Sequence, residues 1–112
     1  MSPKEVIFSS SAEKEIKALQ KQDQKLVMAQ LDRLATGGGQ LDIEKIKTHP
    51  TFFRIKAAHL RIVYYPLSPT RVVVLLVRNR KDAYRSLNVL ERRLETAMAN
   101  LDSSASRSVS RL

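Results

Sequence analysis

Six consecutive apolar residues, Val72-Val73-Val74-Leu75-Leu76-Val77, constrain the fold of this chain more than any other stretch. The run is far short of the about 20 residues a membrane span needs, and its β-branched start favours extended backbone over helix. A strand that is apolar at every position must be covered on both faces, so it predicts the centre of a sheet. The rest of the chain has to supply strands beside it and layers over it.

The patterns on either side do so. Lys4-Glu5-Val6-Ile7-Phe8 reads as a short strand running into Ser9-Ser10-Ser11. Ser10 and Glu13 have capping-box spacing, and Ala12, Ile16 and Leu19 recur at helical intervals, which predicts a helix near 11–21. A second helix follows, with Leu26/Val27, Gln30/Leu31 and Leu34 inward, and Gly37-Gly38-Gly39 ends it. After the glycines the period changes to two. Phe53 and Ile55 alternate with Arg54 and Lys56, and Ile62 and Tyr64 with Arg61, Val63 and Tyr65, so two strands are expected with Ala57–Leu60 as their hairpin connection. Pro66 and Pro69 punctuate the next turn, and Leu87, Leu90, Leu94, Met98 and Leu101 place a helix between Ala83 and Leu101. The order β-α-α-β-β-β-α predicts an α+β fold, a small mainly antiparallel sheet with a helical hairpin on one face. A single domain over residues 1–101 is expected, with the Ser-rich segment 102–112 disordered.

The charge is concentrated. The chain carries 20 Lys+Arg and 11 Asp+Glu, net +9, and the stretch from Arg54 to Arg85 holds eight bases (Arg54, Lys56, Arg61, Arg71, Arg78, Arg80, Lys81, Arg85) and one acid, Asp82. Six of the eight are Arg, whose planar fork pairs bidentately with phosphate. By strand alternation Arg54, Lys56 and Arg61 point away from Phe53, Ile55 and Ile62, across an open sheet surface, and Arg78, Arg80 and Tyr84 leave the end of the central strand beside them. A polyanion is the expected partner. With no Cys, thiol catalysis, disulfides and thiolate metal sites are excluded, and two His ten residues apart make poor metal ligands. No membrane segment is expected, and Met1–Glu5 lacks a signal-peptide pattern, which points to a cytoplasmic protein.

Phe53-Arg54-Ile55-Lys56, then Leu60–Tyr65, then the stretch from Val72 through Arg78-Asn79-Arg80-Lys81-Asp82-Ala83-Tyr84-Arg85, resemble the core of the RelE/ParE superfamily of type II toxins over roughly residues 5–90. In that family the RelE branch cleaves mRNA in the ribosomal A site, the ParE branch poisons DNA gyrase, and both are neutralised by a small antitoxin protein. The resemblance to the RelE branch implies a metal-independent endoribonuclease without cofactor, with Lys56, Arg61, Arg80 and Tyr84 catalytic and Arg54, Arg78, Lys81 and Arg85 binding RNA. Clustered cations favour the uncharged form of a Lys among them, so Lys56 is the candidate base. Arg61 would clamp the scissile phosphate, Arg80 would stabilise the leaving side and Tyr84 would stack on a nucleotide.

Two positions depart from the family's ribonuclease pattern: Arg54 stands where Lys is frequent, and Asn79 where several branches have His. His59 is expected on the surface and His49 in a structural role. A ParE-like gyrase inhibitor and a non-catalytic nucleic-acid-binding relative stay open beside the nuclease. The helical stretch 85–101 is a candidate surface for an antitoxin.

Overall fold

Val72–Val77 is buried along its whole length inside β5 of a five-stranded sheet, in a computed structural model that describes residues 4–103. In chain order the elements are β1 (Glu5–Phe8), α1 (Ser10–Lys17), α2 (Lys21–Thr36), β2 (Ile43–Ile46), β3 (His49–Ala57), β4 (Leu60–Ser68), β5 (Arg71–Asn79), α3 (Arg80–Arg85), a 3₁₀ turn (Leu87–Val89) and α4 (Leu90–Ser103). Strand order is β1-β5-β4-β3-β2. β1 lies parallel to β5, and β2 through β5 form an antiparallel meander. The α1–α2 hairpin carries the chain from one edge of the sheet to the other, so the meander ends beside β1.

Both faces of the sheet are covered, as the continuous apolar run requires. On one face Ala12, Val27, Leu31 and Leu34 of α1 and α2 pack on Ile55, Ile62, Tyr64, Val72, Val74 and Val77. On the other, Leu90 and Ala97 of α4, with Ala83 of α3, pack on Ile7, Phe52, Val63, Val73, Leu75 and Leu76. Leu31, Ile55, Ile62, Leu76 and Leu90 are all but inaccessible. Burial of each such side chain contributes on the order of 2 kcal/mol. The leucine stripe of α4 is therefore core.

A bulge in β5 decides what the second face carries beyond that core. Val63 pairs with Leu76 but Tyr64 with Val74, so Leu75 is an extra residue. Leu75 and Leu76 both enter the α4 side, and Val77 turns to the α1–α2 side. Strict alternation from Val73 would have sent Arg78 to the hairpin face. The bulge brings it to the α4 face in a row with Arg61.

The structure differs from the sequence expectations at several places, and Pro66 lies within β4 opposite Val72 rather than in the turn. The short β2 adds a strand; a register shift between Lys45 and Ile46 leaves Ile43 exposed and Ile46 buried, which hides period two. The first helix is capped by Ser9 rather than Ser10. Ser9 N–H is already tied to the Val74 carbonyl of β5, and its Oγ accepts from Ala12 N–H at 3.1 Å. The expected helix between Ala83 and Leu101 is broken, because Ser86 departs from helical backbone and its Oγ accepts from Arg78 at 2.6 Å. The turn lets Leu87 and Leu90 both reach the core. Finally, α4 runs to Ser103, past the expected start of the tail, and residues 104–112 lie outside the described residues.

Candidate active site

The β3–β4 hairpin closes through two residues, Ala58 and His59, with Ala58 at φ 56°. That left-handed backbone suits the twist of a two-residue hairpin. It also points the carbonyls of Ala58 and Leu60 at Arg61, whose Nη1 donates to both at 2.8 Å. Arg61 is thus held by the backbone of its own turn. It stands directly across from Lys56 on β3 and Arg78 on β5. Arg54 lies two residues before Lys56 on the same face.

At the end of β5 the chain turns into α3. Arg80 N–H donates to the His59 carbonyl at 2.8 Å, joining the start of α3 to the hairpin turn. Asn79 caps the helix: its Oδ1 accepts from Asp82 N–H at 2.9 Å, and its Nδ2 donates to the Asp82 carboxylate at 3.0 Å. Asn79 therefore performs a task that Asn does well at a helix start. In α3 the pairs Arg80/Tyr84 and Lys81/Arg85, each four apart, share a side of the helix, and Ala83 anchors the opposite side in the core. Tyr84 is 70% exposed, the most exposed large hydrophobic among the described residues.

Sheet and helix together wall a groove of about 650 Å³ lined by Arg54, Lys56, Arg61, Arg80, Lys81, Tyr84 and Arg85. α4 packs on β5, and the groove opens over β3 and β4, whose Arg54, Lys56 and Arg61 side chains line it. Seven of the eight residues singled out from the sequence meet here. The eighth, Arg78, is turned away: its Nε donates to Glu15 at 2.6 Å and its Nη1 to Ser86 at 2.6 Å. Arg71, also in the basic stretch, pairs with Glu5 across β1 and β5. Among the described residues, Arg80, Lys81 and Arg85 make no ion pair.

The sequence reading missed two acids. Glu15 of α1 accepts the Val77 N–H at 3.0 Å, and both of its oxygens take Arg93 of α4 at 3.1 Å. Glu44 of β2 stands opposite Arg54 and accepts from its Nη2 at 2.8 Å, with Lys56 Nζ 3.5 Å away. The Arg54 hydrogen bond holds the Glu44 carboxyl below the usual carboxylate range, with smaller help from the charges of Arg54 and Lys56 against the cost of partial burial. Only strand pairing could have revealed it, since Glu44 lies ten residues from Arg54. Both histidines stay out of the groove lining. His59 Nε2 is 3.1 Å from the Asp23 carboxylate on α2, and His49 bonds Thr48 through Nδ1 at 2.9 Å. No group of three or more His, Cys, Asp or Glu with metal-binding geometry occurs among the described residues.

Comparison with solved structures finds a similar chain in the crystal structure of the RelB-RelE antitoxin-toxin complex from Methanococcus jannaschii. The TM-score is 0.60 at 20% identity, covering 72% of this chain and 98% of that one. No protein-family model matches this chain, and no curated protein matches it. The fold is RelE-like, an α+β arrangement with a five-stranded mixed sheet.

Proposed function

We propose that this RelE-like chain is the toxin of a type II toxin-antitoxin pair, a cytoplasmic endoribonuclease that cuts mRNA on the ribosome and so arrests translation. The observation that carries this reading is the groove itself: six cations and one exposed tyrosine converge where the sheet is left uncovered.

In the proposed step Lys56 is the base that takes the proton of a ribose 2′-hydroxyl. The 2′-oxygen attacks the adjacent phosphorus and the P–O5′ bond breaks. The products are a 2′,3′-cyclic phosphate on one fragment and a 5′-hydroxyl on the other, protonated from solvent. Arg61, fixed by two carbonyls, balances charge gathering on the phosphorane, and Arg80 balances the departing 5′-oxygen. Tyr84 offers a ring for base stacking, and Arg54, Lys81 and Arg85 hold neighbouring phosphates. Because Arg78 is engaged by Glu15, its role in this scheme is to shape the end of β5 rather than to touch RNA. An acidic or amphipathic antitoxin segment is the proposed inhibitor, matching the groove's charge.

Purified protein incubated with ribosomes carrying mRNA, read by primer extension, tests the scheme. Arg61→Ala and Arg80→Ala should each lower cleavage by at least about 100-fold while melting cooperatively. If both variants cut like the wild type, the mechanism is wrong. Inhibited gyrase supercoiling without mRNA cleavage would move the chain to the ParE-like reading.

A further inference from the structure

The cationic groove carries its own anion at the rim. Glu44 is not among the lining residues, yet its carboxylate reaches back to two of them. Arg54 Nε and Nη2 fall on the same oxygen, Oε1, at 3.3 and 2.8 Å, and Lys56 Nζ lies 3.5 Å from that oxygen as well. The side chains of Arg54, Glu44 and Lys56 are 27%, 35% and 38% exposed. Ion pairs this exposed to water are weak, so the contact opens at little cost. Its geometry is also incomplete. Three N–H donors crowd one carboxylate oxygen, whereas a phosphodiester offers two non-bridging oxygens, one for the Arg54 fork and one for Lys56. β2, which carries Glu44, is one of the two edge strands and, among the described residues, pairs only with β3.

We propose that Glu44 is an internal counter-anion of the phosphate site: it holds Arg54 and Lys56 in the free protein, and a phosphodiester of the bound strand displaces it. The proposal rests on the groove being an RNA site and specifies how that site is kept closed to adventitious polyanions. A phosphate reaching Arg54 and Lys56 sheds its own counterion but frees a carboxylate of the protein that takes one up, so the net release is smaller. RNA binding should therefore depend on salt less steeply than six cations would dictate. In Glu44→Gln no carboxylate is freed, the counterion release is whole, and the dependence steepens.

The test is binding of a 2′-O-methylated single-stranded RNA oligonucleotide, which cannot be cleaved, followed by fluorescence anisotropy across a series of KCl concentrations. Glu44→Gln should bind several-fold tighter at low salt. The slope of log K against log salt should steepen by about 0.7, the value for the one phosphate that displaces the one carboxylate. Unchanged or weaker binding by a folded Glu44→Gln, or no binding by either protein, overturns the proposal. Cleavage on ribosomes is scored separately. Cleavage without the salt effect removes this role for Glu44 and leaves the nuclease standing; the salt effect without cleavage does the reverse.

Discussion

Cross-strand register sets Lys56, Arg61 and Arg78 side by side, an arrangement of like charges that destabilises a sheet. Each residue is compensated locally: Lys56 lies near Glu44, Arg61 bonds two carbonyls, and Arg78 bonds Glu15. The same scale explains a departure noted in the sequence. Asn79, which stands where several branches of the family have His, caps α3 and so orients Arg80 and Tyr84. On the opposite face Tyr64 stacks on Phe53 with ring centroids 5.8 Å apart, and burial raises its hydroxyl pKa above 10.0. The sign follows from linkage: the neutral phenol is favoured by folding, so its contribution is whole below the unfolded value of about 10 and is lost as pH rises through the folded one. Thermal melts taken from pH 8 upward should fall more steeply above about pH 10 for the wild type than for Tyr64→Phe.

At the scale of elements, α1 finishes what β1 leaves undone. β1 pairs with β5 only as far as Val74, so the rest of that edge of β5 has no strand neighbour. Glu15 fills the gap by accepting the Val77 N–H, and its charge gathers Arg78 and Arg93, which links α1, β5 and α4. Arg93 also donates to the Leu75 carbonyl at 2.8 Å, in the bulge. Glu15→Gln keeps an acceptor for Val77 but strips two partly buried arginines of their counter-charge. It should lower stability by about 2–3 kcal/mol in urea denaturation, with the m-value unchanged and α4 amides losing hydrogen-exchange protection first. Nothing in the local sequence of α1 distinguishes Glu15 from Glu13, which is exposed. The contact spans 62 residues to Val77 and 78 to Arg93, beyond any periodicity a single segment can display.

For the whole molecule, where the charge points matters more than how much there is. Of eight cations between Arg54 and Arg85, six line the groove, and Arg71 and Arg78 are held by acids elsewhere. Lys81→Gln should therefore flatten the salt dependence of RNA binding by about 0.7 in slope, while Arg71→Gln leaves slope and affinity as they were. Equal effects from the two variants would mean that total charge, not the groove, drives binding.

The linear chain by itself determined the class of fold and the membership of most of the groove. Continuous apolarity demands a central strand, the change from helical to period-two spacing separates hairpin from meander, and Arg54, Lys56 and Arg61 follow from alternation on short, regular strands. These are local properties, set by backbone geometry within a few residues. Tertiary structure alone decided the rest. The bulge at Leu75 turned Arg78 about, a strand of irregular register placed Glu44 against Arg54, and the β1–β5 contact shifted the cap of α1 to Ser9. Each depends on partners distant in sequence, whose pairing is settled only when both faces of the sheet are buried at once.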